Sequence, residues 1–280
     1  SGRTIEGSQC WVSPRYEIAN RYQLTTTGDF APKLVQLNPT TNTTARTTLN
    51  SAVNPTSYAN RDYRMKSTIM WDYEMCIGLT SLKSTGFSPY IYNTWAANVT
   101  LGGVNYITYN TDGTNSGYIF RKFVRNYEGL GRSEGDYAYP VMRLADVYLM
   151  YAEASNEVSG PLADAVAVVN KVRARGALPA LQAAKYANKQ LFFDAIEQER
   201  IIELVAEGFR GFDLRRWRAI ERVWGLPGGV GVWRQDTYGA DRERFYLNAS
   251  DLTYKQAYIF RIPPTERDRN PNLTQNIPWR

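Results

Sequence analysis

Residues 139–158 read YPVMRLADVYLMYAEASNEV, residues 163–176 read ADAVAVVNKVRARG, and residues 192–217 read FFDAIEQERIIELVAEGFRGFDLRRW. In the first stretch Pro140 suits the opening turn of a helix, and Val141, Leu144, Tyr148, Tyr151 and Ser155 recur at three- and four-residue spacing. That spacing predicts a helix to about Glu157 with those side chains on its buried face. Ser159, Gly160 and Pro161 break the chain, and Leu162, Ala165, Val169 and Val172 mark a second helix that stops at Gly176. The pair is an αα-hairpin. A third helix is expected from about Gln190 to Glu207, ending at Gly208, and a fourth from Asp213 to about Val223, with Gly225 and Pro227 beyond. These two make a second hairpin.

Outward from this helical block the pattern changes. Residues 1–135 are rich in Thr, Asn, Gly and Tyr, with short extended candidates at Met65–Trp71 and Tyr118–Val124, and read as a loop-rich, strand-poor subdomain. Residues 136–224 hold the two hairpins. Residues 225–280 are again rich in Gly and Pro: Tyr258–Ile262 is a candidate strand, and Pro263-Pro264 opens an extended tail that packs back on the domain. Small residues at Ala145, Ala152, Ala154, Ala163 and Ala167 permit the close helix approach of tetratricopeptide-type hairpins, whose strict consensus is absent.

A chain of 280 residues that is 43% hydrophobic is able to bury a full core. It has no apolar run of about 18 residues, and SGRTIEGSQC at the start lacks the basic and apolar regions of a signal peptide, so it reads as soluble. Cys10 and Cys76 are too few for a disulfide framework, although one bridge between them is open. The net charge of +6 comes from 33 basic residues interleaved with 27 acidic ones. Even the richest basic cluster, Arg210, Arg215, Arg216 and Arg218, is flanked by Glu207, Asp213 and Glu221, which favours an ion-paired face over nucleic-acid binding. The absence of histidine removes His-dependent triads and most zinc and di-iron sites, so neither a metal nor a cofactor is expected.

Glu199, Glu203 and Glu207 fall four apart on one face of the third helix. Such spacing places carboxylates on metals or at a reacting bond in other proteins. With Arg200, Arg210, Arg215 and Arg216 close in sequence, the economical reading is a carboxylate–guanidinium network that locks the third helix to the fourth. The 20 tyrosines and seven tryptophans gather in loop-like stretches, including FSPYIYNTW at 87–95. Flat rings stack on sugar faces or grip peptide side chains, and they also stitch together subdomains short of aliphatic residues. Trp71, Tyr90, Tyr92 and Trp95 are the candidate ligand platforms, because Gly86, Pro89 and Asn93 put them in expected turns. The Gly-rich GLPGGVGVW at 225–233 lacks a following Lys-Ser or Lys-Thr and reads as a flexible turn.

Four separated segments, NRDYRM at 60–65, GYIFRKF at 117–123, RLADVYLMYAEA at 143–154 and the span Glu199–Trp217, together with NPNLTQNIPW at 270–279, resemble in order and content the C-terminal half of a SusD/RagB-type lipoprotein. Tyr63 departs from the family's usual proline. The resemblance implies a mainly α fold in which helical hairpins pack with the irregular, ligand-side subdomain. It also implies a longer parent protein, lipid-anchored at the outer-membrane surface, with further helical repeats upstream. The function so implied is capture of an oligosaccharide, or of a peptide, and its delivery to a SusC-like TonB-dependent transporter without bond cleavage.

Two other classes stay open on the residues. A carboxylate-dependent glycosidase would need two acids converging on an aromatic cleft, and Asp62, Asp72, Glu74 and Asp112 are the loop acids near the aromatics, with nothing marking a pair. A helical adaptor would bind proteins through the hairpin face. The clustering of aromatics away from the hairpins favours ligand capture.

Overall fold

The computed structural model describes residues 14–15, 17–35, 37, 41–79, 87–92, 98–109, 117–123, 139–224, 232–235, 241–245 and 256–280, with backbone alone for 75–79, 87–90, 106–109, 224, 232–235 and 241–245. The chain forms two compact units, one from Ser1–Glu207 with Gln235–Ala240 and one from Gly208–Arg234 with Asp241–Arg280. The division falls inside the 136–224 segment.

In the first unit the irregular part contains α1 (Ile18–Arg21), α2 (Arg64–Thr68) and strands β1 (Ile69–Met70), β2 (Met75–Leu79), β3 (Phe87–Tyr92), β4 (Asn98–Leu101), β5 (Val104–Tyr109) and β6 (Ile119–Phe120). β1 and β6 pair antiparallel, and the other four form a sheet ordered β2-β3-β5-β4 in which only the β3–β5 pairing is parallel. The Met65–Trp71 candidate is therefore mostly helical, with two residues of strand. FSPYIY, expected as a turn, is strand β3: its aromatic and β-branched residues suit a pleated surface between two partners, and Pro89 sits within it without ending it.

The helical part holds α3 (Leu144–Ser159), α4 (Ala163–Ala174) and α5 (Lys189–Glu203). Asn188 caps α5, its side chain accepting from the Leu191 N–H at 2.9 Å. The three helices enclose a cluster of Ala145, Leu149, Ala152, Ala165, Val166, Val169, Val172, Phe192 and Ile196. The buried stripe of α3 is thus Ala145, Leu149, Ala152 and Asn156, one position round from the expected one, while Val141 and Leu144 are 85% and 63% exposed. The reason is packing distance: alanines at 145, 152 and 165 let the helix axes approach, whereas the larger residues of the other stripe would hold them apart. Leu162, expected on the buried face of α4, is likewise outward at 45% exposure.

At its C-terminal end α5 contributes Ile202 to a second cluster with Ala19, Tyr22, Leu34, Tyr58, Met65, Ile69 and Tyr118 from the irregular part. One helix therefore joins both cores of the unit. The hairpin touches the loops again at Gly176, whose carbonyl accepts from the Tyr63 N–H at 3.1 Å. A Cβ there would meet the Asp62 carboxylate at 2.1 Å, so only glycine fits.

The second unit contains α6 (Phe209–Arg216), α7 (Ile220–Trp224) and α8 (Pro264–Arg269). Further along the chain β7 (Val232–Gln235) pairs with β8 (Asp241–Phe245). The single helix expected from Asp213 to Val223 is broken at Trp217–Ala219. The Ala219 N–H bonds the Leu214 carbonyl at 2.9 Å and the Arg218 N–H bonds the Arg215 carbonyl at 3.2 Å, the Schellman pattern of a helix end. Arg218 occupies the left-handed position at φ 53°, where glycine is usual and any L side chain costs about 1–2 kcal/mol. Leu214, Ala219 and Ile220 form the small core, with Trp217, Val223, Ala257 and Tyr258 against it.

Tyr258–Ile262, expected as a strand, has tail side chains as its hydrogen-bond partners instead of a second strand. Gln275 both accepts from the Ile262 N–H and donates to its carbonyl at 3.0 Å, Asn276 donates to the Phe260 carbonyl at 2.7 Å, and the Trp279 indole donates to the Ile259 carbonyl at 2.6 Å. This is why the NPNLTQNIPW segment is polar and yet ordered: its amides stand in for a neighbouring backbone.

Candidate functional site

Four residues per helical step put Glu199 and Glu203 on one face of α5, and the turn after Leu204 brings Glu207 beside them. Arg64, on α2, donates to Asp62 at 2.6 Å, Glu199 at 2.9 Å and Glu203 at 3.3 Å. Arg173 on α4 reaches Glu199 at 2.7 Å, and Arg175 reaches Glu203 at 2.9 Å. Arg143, just before α3, forks onto Glu207 through Nε at 3.0 Å and Nη2 at 2.6 Å and takes Glu203 with Nη1 at 2.7 Å. Lys122 completes the cage, its ammonium donating to the Glu207 carboxylate at 2.5 Å and to the carbonyls of Val205 and Glu203 at 2.9 and 3.2 Å.

The network thus joins α2, α4, α5, the entry to α3 and the β6 edge. The expected cationic partners were Arg200, Arg210, Arg215 and Arg216, and here the structure differs: Arg200 pairs with Asp146 of α3 at 2.9 Å. Arg216 pairs with Asp213 at 2.9 Å, Arg215 donates to the Gly211 carbonyl at 2.8 Å, and Arg210 lies over the Trp217 ring at 5.8 Å. Proximity in sequence is a poor guide because residues one to three apart at a helix end point in different directions, whereas Arg64 arrives from 135 residues away.

A cleft of about 280 Å³ opens beside this network, lined by Lys122, Phe123, Arg143, Arg175, Glu203 and Glu207 among others. Its polar wall is already engaged: each Glu oxygen there accepts from at least one cation, and all three Lys122 donors are used. Neither Glu203 nor Glu207 is left poised as a general acid or base. Burial pushes the Glu207 carboxyl up, but hydrogen bonds from Arg143 and Lys122 outweigh it and hold the group below the usual carboxylate range. Burial lowers Lys122 even though Glu207 favours its charged form.

The sign for Glu207 follows by linkage. A carboxyl depressed in the folded state stabilises the fold fully above its unfolded value of about 4.3, and that stability is lost as pH falls toward and through the folded value. The melting temperature should therefore drop on acidification below about pH 4.3, and Glu207→Gln, less stable at neutral pH, should show a shallower acid slope in scanning calorimetry. Parallel slopes would remove Glu207 from the account.

Of the four aromatic candidates, the side chains of Trp71 and Tyr92 are described. Trp71 is half-buried, stacked on Tyr58 at 4.9 Å with the ring planes 27° apart. Tyr58 is held in turn by a hydrogen bond to the Ala52 carbonyl at 2.5 Å and by the Tyr118 hydroxyl at 2.8 Å. Tyr92 is fully buried in β3, its hydroxyl donating to the Gly117 carbonyl at 3.1 Å, so it offers no ring face to a ligand. Its backbone bonds the Trp71 turn, the carbonyl accepting from the Tyr73 N–H at 2.8 Å and the N–H donating to the Glu74 carbonyl at 3.0 Å. The Tyr90 side chain and Trp95 lie outside the described residues, as do Cys10 and the Cys76 side chain.

The residues that the sequence reading missed are Asp62, Arg64, Lys122, Arg143, Arg173 and Arg175 of the network, and Tyr58 beneath Trp71. Arg64, Lys122 and Arg143 all lie in the quoted family segments, which was the available signal. Among the described residues no group of three or more His, Cys, Asp or Glu side chains could hold a metal ion, and no helix is long and apolar enough to cross a membrane.

The chain belongs to the SusD family, whose sequence pattern matches residues 5–279. It is 31% identical over 160 residues to SusD-like protein P2 of Formosa agariphila, covering 54% of this chain and 28% of that protein. It is 49% identical over 78 residues to SusD-like protein P25 of the same organism, covering 28% and 15%. A solved SusD-like protein from Bacteroides fragilis superposes with a TM-score of 0.62 at 20% identity over 95% of this chain and 46% of that one, which shows the shared fold. The chain spans about half the length of that solved relative and less of the two Formosa proteins.

Proposed function

We propose that this chain is part of a cell-surface glycan-binding protein of a SusCD-type uptake complex, lipid-anchored in the outer membrane, which captures an oligosaccharide and delivers it to a SusC-like TonB-dependent transporter. The observation that carries the reading is the family match across residues 5–279, since SusD-family proteins are binding proteins. The chemistry of the network supports it: its carboxylates are all held by cations, an arrangement that serves rigidity and leaves no acid pair for hydrolysis. Peptide capture is the variant within the same class.

Trp71 is the proposed ligand platform. Its ring is pre-set by the stack on Tyr58, so little ordering cost falls on binding. The turn that carries it is braced by the Glu74 N–H to Trp71 carbonyl bond at 3.0 Å and by Glu74 pairing with Arg121 and Lys66, each at 3.3 Å. Isothermal titration with the glycan found to bind should show Trp71→Ala weakening affinity about tenfold, worth about 1.4 kcal/mol, with the fold intact. Unchanged affinity would move the ligand surface elsewhere.

A further inference from the structure

The two units carry very different charge. Ser1–Glu207 with Gln235–Ala240 holds 20 basic and 20 acidic residues, whereas Gly208–Arg234 with Asp241–Arg280 holds 13 basic and seven acidic ones. The whole net charge of +6 therefore belongs to the second unit, and 12 of its 13 basic residues are arginine. Arginine is the side chain whose planar fork matches carboxylate and sulfate oxygens in pairs, while lysine is a point charge.

Among the described residues, Arg215, Arg216 and Arg218 stand on rings. Arg215 lies over Phe260 at 5.0 Å, Arg218 over Tyr258 at 4.9 Å and Arg216 over Trp217 at 4.5 Å. Phe260 is 63% exposed, and Arg216 and Arg218 are exposed. Stacking fixes the guanidinium plane; Arg216 spends Nε and Nη2 on Asp213 and Arg215 spends Nη1 on the Gly211 carbonyl, so the edges offered to a ligand are those of Arg218 and the remaining N–H groups of Arg215. Trp217 and Tyr258 pack against the small core, so the exposed Phe260 is the apolar face for the pyranose of an acidic sugar, and Arg215 and Arg218 supply forks for its anionic group.

Arg218 adds a second, independent observation. It sits at the left-handed end position of α6, φ 53°, where glycine would be unstrained. A residue that raises local strain and contributes an exposed charge stacked on Tyr258 points to a task outside the fold.

We propose that the arginine–aromatic surface of the second unit binds the carboxylate or sulfate groups of an acidic polysaccharide. This rests on the glycan-capture reading and names its ligand class. A lipid surface also takes charge and rings at its interface, and vesicles in the test separate it from a polysaccharide. Nucleic acid brings the same anionic charge, so a single-stranded oligonucleotide is titrated beside the polysaccharides, and tighter binding of it than of either acidic polymer would overturn the inference.

The test is calorimetric titration at about 0.15 M salt with two matched pairs: polygalacturonate against its methyl ester, and dextran sulfate against dextran. At least one acidic member should bind about tenfold or more tightly than its neutral counterpart. Arg218→Gly should cut that preference about fivefold or more without lowering the melting temperature, because glycine relieves the strain, and Arg218→Lys should restore part of it. Equal binding of charged and neutral forms would overturn the inference and leave glycan capture standing; absence of binding to any glycan would remove both. An undiminished acidic preference in Arg218→Gly, or retention by phosphatidylglycerol vesicles with no affinity for either acidic polymer, would also overturn it.

Discussion

Glu203→Ala should cost about 3–5 kcal/mol of stability and leave glycan affinity unchanged. The Glu203 side chain is 3% exposed and receives Arg64, Arg143 and Arg175 at 3.3, 2.7 and 2.9 Å. The mutation does more than delete three hydrogen bonds: it leaves Arg64, itself 8% exposed, with a buried charge short of one anionic partner. Arg175, 57% exposed, regains water and contributes little to the loss, so Arg175→Ala should cost no more than about 1 kcal/mol. Denaturant unfolding measures the first quantity and calorimetric titration the second. A folded Glu203→Ala protein with impaired binding would show that the network touches ligand.

Leu149→Ala should cost about 2–5 kcal/mol, while Leu144→Ala should stay within about 0.5 kcal/mol. The two leucines are five residues apart on α3, yet Leu149 is fully buried in the three-helix cluster and Leu144 is 63% exposed. Emptying the site of Leu149 leaves a cavity that the flanking Ala145 and Ala152 are too small to fill. Paired unfolding curves decide which stripe of α3 is the core stripe. Equal losses would return the buried face to the set that includes Leu144.

Although α5 ends at Glu203, short of the expected Glu207, and Gly208 caps the start of α6, helices α3, α4 and α5 were legible because their apolar spacing, the Ser159-Gly160-Pro161 break and the Gly176 stop act locally. The choice between the two apolar stripes of α3 was not, because both have helical period and only the partner helices distinguish alanine approach from leucine contact. The split of the expected fourth helix escaped notice because its end carries Arg218 where a glycine would have announced it. Glu207, expected on the same face as Glu199 and Glu203, lies beyond the end of α5 and is brought beside them by the turn after Leu204. Glu199 and Glu203 were legible as one helix face. Their partners were not, since Arg64, Lys122 and Arg143 reach them across long stretches of chain and become neighbours only once both cores are packed around α5. Tyr92 shows the limit of counting aromatics: a tyrosine in β3 with its hydroxyl bonded to Gly117 looks, in sequence, the same as one on a turn.

The most direct test of capture without cleavage is a tryptophan-fluorescence titration of the protein against soluble glycans and short peptides, with release of reducing ends followed in the same tubes. The account predicts a saturable fluorescence change with one ligand class and no new reducing ends. Reducing ends that accumulate with time in proportion to protein would contradict it and make the chain a hydrolase.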